Sequence, residues 1–205
     1  MDDPKYLQPY KRWIAARGTG FGATLWASPQ SQHARFEVFA ELEYMQGKRI
    51  LDAGCSEGDL ALFLLERSIE YGEFIGVDAI EDVIINANAR HLPRSQFHVR
   101  DLVTDKTAMA IGKPDVVCIS GTLNTMTDEQ VFTVLENAWE AAEQSLLFNF
   151  LSDRCGKTAP PQDQFARRLS LMNLLDWALS KTWRVVLRQD YFPAGHDATI
   201  AMYRV

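Results

Sequence analysis

Short apolar runs alternate with helix-spaced segments along most of this chain, and that alternation restricts the fold more than any other feature. Residues 49–53, 73–78, 97–100, 115–120 and 145–151 have the length and apolarity of strands buried on both faces. Between them the spacing becomes helical. Leu60, Phe63 and Leu64 share one face, as do Val83, Ile84 and Ala87, and then Val131, Val134, Leu135, Ala138 and Trp139. Strand–helix repetition implies right-handed crossovers and a parallel sheet covered by helices on both faces. The end of the chain departs from this. Phe165, Leu169, Met172, Leu175 and Leu179 predict a helix, and β runs at 183–192 and 198–205 are joined by Pro193–Asp197. So short a connection cannot carry a parallel crossover, so these two runs form an antiparallel hairpin. The expected fold class is α/β, a doubly wound, mostly parallel seven-stranded sheet with a reversed C-terminal hairpin.

With 205 residues, 47% of them hydrophobic, the chain is expected to form one domain over 1–205 with a core that needs no disulfide or metal staple. Residues 1–46 are expected to form a helical cap on the carboxyl edge of the sheet. In it Ser28 and Pro29 open a helix that points Phe36, Phe39 and Leu42 inward, after a glycine cluster at 18–22. The cysteines Cys55, Cys118 and Cys155 lie far apart without metal-ligand spacing, so no metal site is expected and Cys55 reads as a small buried hydrophobe. The opening residues lack a signal pattern, and nowhere do eighteen apolar residues run together; the expectation is a cytoplasmic protein with no membrane span.

The net charge of −6 argues against holding nucleic acid or anionic membrane by bulk electrostatics. It is unevenly spread. Residues 37–82 carry twelve carboxylates against Lys48, Arg49 and Arg67, a local net of −9, whereas residues 83–205 hold thirteen of each sign. A ligand near the acidic stretch is cationic or rich in hydroxyls rather than a bare phosphate, because carboxylates accept hydrogen bonds and repel anions.

The first strand ends in Asp52-Ala53-Gly54-Cys55-Ser56-Glu57-Gly58 and runs straight into a helix. In an open α/β sheet, ligands bind outside such carboxyl ends. No G-x-x-x-x-G-K-[ST] phosphate loop is present. A dinucleotide G-x-G-x-x-G fails at Ser56 and at Asp59, whose charge would face a pyrophosphate. The second strand ends at Asp78, where a carboxylate can accept hydrogen bonds from vicinal ribose hydroxyls, or cap the next helix. The third ends at Asp101 and Leu102, an acceptor beside an apolar wall that suits an adenine.

The loop resembles D-x-G-x-G-x-G, the first motif of the class I S-adenosylmethionine-dependent methyltransferases. The likeness extends through Ile75-Gly76-Val77-Asp78, Asp101-Leu102 and the reversed terminal hairpin, and Ser56 stands where that family has its middle glycine. It implies a Rossmann-like methyltransferase fold that binds S-adenosyl-L-methionine and yields S-adenosyl-L-homocysteine. By the resemblance, Gly54, Ser56 and Gly58 pass the methionine portion, and Asp52 anchors the loop or reaches the amino group through water. Asp78 with Ala79 holds the ribose, Asp101 and Leu102 hold adenine, and Ser120 follows the fourth strand at the cofactor. Trp26–Glu37 is similar to the leader of small bacterial methyltransferase-domain proteins, in which an arginine pairs with the cofactor carboxylate; here that residue is Arg35.

The expected reaction is methyl transfer to a small-molecule acceptor by in-line displacement. The acceptor is expected between residues 120–124, residues 149–154 and Tyr191–His196. His196 reads either as a turn residue or as a substrate contact or base. A [DN]-P-P-[YFW] segment is absent after the fourth strand, where Ser120-Gly121-Thr122-Leu123 stands, which turns the reading away from adenine in DNA. A non-catalytic cofactor-binding protein and a methyltransferase acting on RNA or protein are the alternatives; an NAD-dependent oxidoreductase is disfavoured by the loop. Arg154, Lys157, Arg167 and Arg168 are close enough in sequence to form a modest basic patch.

Overall fold

A computed structural model describes residues 4–162 and 165–205; Asp2 and Asp3 of the expected cap lie outside the described residues. The strands β1 (Arg49–Ala53), β2 (Glu73–Asp78), β3 (Ser95–Val99), β4 (Val116–Ile119), β5 (Ser145–Leu151), β6 (Val185–Arg188) and β7 (Asp197–Tyr203) form one sheet ordered β3-β2-β1-β4-β5-β7-β6. The first five pair in parallel. β7 runs antiparallel between β5 and β6, with Leu147 opposite Ala201, so the reversed hairpin is present. β6 is shorter than its apolar run because residues 189–196 form an eight-residue connection, whereas β7 takes in Asp197 from the expected turn and stops at Tyr203.

Along each inner strand successive side chains enter opposite cores, as a pleat requires. Ile50, Val116, Cys118 and Leu147 face one, together with Phe39, Leu60, Phe63 and Val83 from α2 (Pro29–Leu42), α3 (Asp59–Glu66) and α4 (Glu81–Ala89). Leu51, Val117, Leu146 and Phe148 face the other, with Val134, Leu135 and Leu174 from α5 (Asp128–Ala141) and α6 (Leu171–Lys181). Each fully buried Phe or Leu adds roughly 1.5–3 kcal/mol over its exposed state. Ser28 opens α2 in a reciprocal cap with Ser31, and Thr127 opens α5 in the same way with Gln130. Each cap contributes about 1 kcal/mol.

Two local expectations are corrected. α6 starts at Leu171, not near Phe165, and its buried face is Leu171, Leu174 and Ala178; Met172 and Leu179 are exposed. The Ser170 side chain caps the helix by accepting from Asn173 N–H, and Asp153 accepts from Leu171 N–H, which fixes the start and rotates the inward face. Ahead of α2 stands an unexpected helix, α1 (Gln8–Arg17), followed by a 3₁₀ turn at Gly20–Ala23 where the glycine cluster lies. No residue of α1 is fully buried.

Candidate active site

Strand order reverses between β1 and β4, and the loops leaving them diverge there to leave a crevice. The loop after β1 takes its shape from two backbone conformations. Gly54 has φ +84°, and a Cβ there would lie 2.0 Å from Thr122 Oγ1, so no larger residue fits. Gly54 and Cys55 N–H both donate to Val77 O, at 2.8 and 3.1 Å, which ties the loop to β2. Ser56 has φ +48°, a left-handed conformation costing an L-residue about 1–2 kcal/mol. Its N–H donates to Asp78 Oδ2 at 3.0 Å, and Asp78 Oδ1 accepts from Ile80 N–H at 3.0 Å. Asp78 thus holds the Ser56 turn and the entrance to α4 at once. Burial pushes its carboxyl up, against the pull of those backbone donors.

A cavity of 340 Å³ opens over these strand ends. Gly54, Ser56, Asp78 and Ala79 line it, as do Asp101 and Leu102 on the β3 side; Arg35, Ser120 and His196 line it on the other side of β1. Two of the expected residues do not. Gly58 has φ +80°, and a Cβ there would meet the Phe97 ring at 2.7 Å, so this glycine serves the turn into α3 and its packing rather than a ligand. Asp52 is 3% exposed and borders a small side cavity with Gln32, Ser56 and Asp59. Its Oδ1 has no hydrogen-bond partner among the described residues. Burial, then the charges of Asp78 and Asp59, push its carboxyl up to about 8.

The N-terminal segment roofs this cavity through residues that sequence reasoning missed. Tyr6 Oη donates to Asp101 Oδ2 at 2.6 Å, while Asp101 Oδ1 accepts from Val103 and Thr104 N–H. Tyr10 Oη donates to Gly121 O at 3.2 Å, and Trp26 lies so close to Gly121 that a Cβ there would be 2.2 Å from its ring. Gly20 N–H donates to Glu57 at 2.6 Å. No local pattern announces these contacts, because each joins residues at least 37 positions apart.

Arg35 is placed differently from what the resemblance implies. It is 4% exposed and ion-paired with Asp197, its Nε 2.8 Å from Asp197 Oδ2, and its guanidinium lies between the rings of Trp26 and Phe192 at 4.0 and 4.8 Å. Tyr191 Oη donates to the other oxygen of Asp197 at 2.5 Å. Arg35 therefore pins the hairpin connection, with His196, against α2. Cys55 and Cys118 are buried and burial pushes both thiols well up, which leaves them unreactive. Among the described residues there is no cluster suited to a metal, and no helix is long and apolar enough to cross a membrane.

Residues 50–145 match the family described as "Methyltransferase domain". From β1 to the start of β5 the chain is therefore similar to that family. Solved structures of this fold include the magnesium protoporphyrin IX methyltransferase ChlM from Synechocystis PCC 6803 with bound SAH, at 16% identity and TM-score 0.67, covering 98% of this chain and 97% of that one. A DhpI-SAM-HEP complex matches at 14% identity and TM-score 0.67 over 100% of both chains. The methyltransferase domain of bacterial CtHen1 matches at 18% identity and TM-score 0.62, covering 86% of this chain and 99% of that one. No curated protein matches. At these identities the likeness carries the fold, and the chain's own residues must carry the chemistry.

Proposed function

We propose that this methyltransferase moves the methyl group of S-adenosylmethionine to a small-molecule acceptor by in-line displacement within the roofed cavity. The observation that carries the reading is the acidic side of that cavity. Asp78 and Asp101 line it and Asp52 and Asp59 stand just behind, around a loop too close-packed for any side chain at Gly54. When bound, the cofactor supplies a methyl group on a cationic sulfonium, together with an ammonium, a diol and an adenine. Asp78, which also accepts from Ser56 and Ile80 N–H, takes the ribose hydroxyls. Leu102 and Ile80 supply apolar walls for adenine, and Asp101 accepts beside them. Asp52 attracts the ammonium. The cavity volume lies at the low end of the range for small-ligand sites, about 300–1,000 Å³, and suits a cofactor with a compact acceptor rather than a polymer. ChlM and the DhpI-SAM-HEP complex are consistent with an acceptor of that class.

The protein's contribution is orientation. The roof formed by Tyr6, Tyr10 and Trp26 excludes water, and the strand-end loops hold the two partners in line, the main source of acceleration when the reactive group comes with the cofactor. Titration with S-adenosylhomocysteine and with NADH tests the reading. The former is expected to bind and the latter not, and Asp78→Asn is expected to weaken S-adenosylhomocysteine tenfold or more, given about 1.5–3 kcal/mol for hydrogen bonds to a charged group. Binding of NADH alone, or an unchanged dissociation constant in Asp78→Asn, would overturn it.

A further inference from the structure

Arg167 and Arg168 are neighbours in sequence with different surroundings. Arg167 Nε donates to Met126 O at 2.6 Å and its Nη2 pairs with Asp128 Oδ1 at 2.5 Å. Arg168 lines the cavity. Its Nη1 donates to Ser152 O at 3.1 Å and His196 O at 3.3 Å, and its Nη2 to Pro160 O at 2.8 Å. Among the described residues it has no carboxylate partner. Three bonds to neutral carbonyls fix the guanidinium and leave its charge uncancelled, with two of its five donors unspent. The other cationic side chain on the cavity, Arg35, is neutralised by Asp197.

The charge of the cavity is therefore divided. Carboxylates stand at the ends of β1, β2 and β3, and the uncancelled guanidinium stands beyond β5 and beside β7. From β2 to β7 is four strand spacings, about 19 Å. Next to Arg168 is His196. Its Nδ1 is buried without a partner among the described residues, and its ring lies 4.9 Å from that of Phe192. Burial and the cations Arg35 and Arg168 push the imidazole down against the opposing pull of Asp197, so it is neutral at pH 7 and able to accept a proton. Leu151, Pro160, Pro161 and Phe165 give the same part of the cavity apolar walls.

Building on the methyltransferase reading, we infer that the acceptor is a small hydroxy acid, whose anionic group binds Arg168 and whose hydroxyl gives its proton to His196. The acceptor oxygen forms its bond to the methyl carbon as the carbon–sulfur bond breaks, sulfur keeps that electron pair, and the hydroxyl proton goes to the imidazole. A planar carboxylate matches the two remaining guanidinium donors. Charge thereby sorts the two ligands, the cationic cofactor to the carboxylates and the anionic acceptor to the arginine.

The test uses the full chain saturated with S-adenosylhomocysteine and titrated calorimetrically with matched pairs: salicylate against salicyl alcohol, and lactate against propylene glycol. The acids are expected to bind at least about tenfold tighter than the alcohols, the worth of a charge-assisted bond. In Arg168→Gln that preference is expected to fall to within about threefold, with cofactor-product affinity unchanged. Arg168→Lys keeps the charge without the fork and is expected to retain part of the preference. His196→Gln is expected to leave the dissociation constant of the preferred acid within about threefold while slowing its methylation by about a hundredfold or more. Equal affinity for acid and alcohol, or no binding by any of the four up to about 10 mM while S-adenosylhomocysteine still binds, would overturn the inference and leave the methyltransferase reading standing. Loss of S-adenosylhomocysteine binding by the wild-type chain would instead overturn that reading. Should Arg168→Gln not fold, the wild-type ratio and Arg168→Lys decide.

Discussion

If the cofactor's ammonium is drawn to Asp52, as proposed, cofactor binding should release a proton. The side chain is 3% exposed, one of its oxygens has no partner among the described residues, and burial with the neighbouring charges of Asp78 and Asp59 pushes its carboxyl up to about 8. At pH 7 it is ionised in roughly a tenth of the free molecules, and at pH 6 in roughly a hundredth. An ammonium placed against it selects the ionised form. Binding at pH 7 therefore carries a deprotonation penalty of about 1.4 kcal/mol, a factor of ten, and at pH 6 about twice that. The dissociation constant for S-adenosylhomocysteine should accordingly fall nearly tenfold between pH 6 and pH 7. Calorimetry at pH 7 should show close to one proton released per ligand, read from the dependence of binding enthalpy on the ionisation enthalpy of the buffer. In Asp52→Asn both effects should vanish. A wild-type dissociation constant flat across this interval, or proton release that persists in Asp52→Asn, would refute the placement of the ammonium against Asp52.

The same carboxyl makes a statement about stability. Its folded pKa of about 8 lies above the unfolded value of 3.8, so the folded state holds the extra proton between them, and stability declines as pH rises through that window. Asp52→Asn removes the decline, and its unliganded melting temperature should exceed that of wild type at pH 8.5, read by calorimetry. Arg35→Met strands the buried Asp197 carboxylate; the expected loss is about 3–5 kcal/mol, on the order of 10 °C in melting temperature, and a drop of less than about 2 °C would remove Arg35 as the pin of the hairpin connection. Gly54→Ala forces a Cβ to 2.0 Å from Thr122 Oγ1 at φ +84° and should abolish S-adenosylhomocysteine binding in protein that still folds; normal affinity would show that the loop yields. Because burial and two arginines depress His196, methyl transfer should hold its rate to below pH 6.5, the ordinary histidine midpoint, and a fall centred above that value would exclude His196 as the proton acceptor.

The sheet was legible because its inner strands are buried on both faces and so appear as unbroken apolar runs bounded by helical spacing; β1, β2 and β5 occupy their runs residue for residue. The acidic side of the cavity was legible because Gly54, Asp78 and Asp101 each end a strand in sequence. α1 was not, since a helix that buries no residue leaves no apolar period to read. α6 was misphased because periodicity cannot see Asp153 and Ser170 fixing its first turn. The Arg35–Asp197 pair is not legible in sequence, because its two members stand 162 residues apart.

Arg168 shows where such reading stops and what replaces it. In sequence it is one of four cations between residues 154 and 168, and nothing separates it from Arg167. In space the two have opposite fates: Arg167 meets Asp128 at the entrance to α5, and among the described residues the Arg168 guanidinium meets carbonyls contributed by β5's end, the hairpin connection and Pro160. A guanidinium so held loses conformational freedom without losing charge, and that is the state in which an arginine discriminates between ligands rather than merely tying loops together. The overall charge of −6 would turn an anionic acceptor away from most of this surface. Beyond the carboxylates of β1 to β3, on the cavity wall, an arginine without a carboxylate partner among the described residues reverses that sign where the proposed acceptor would be held.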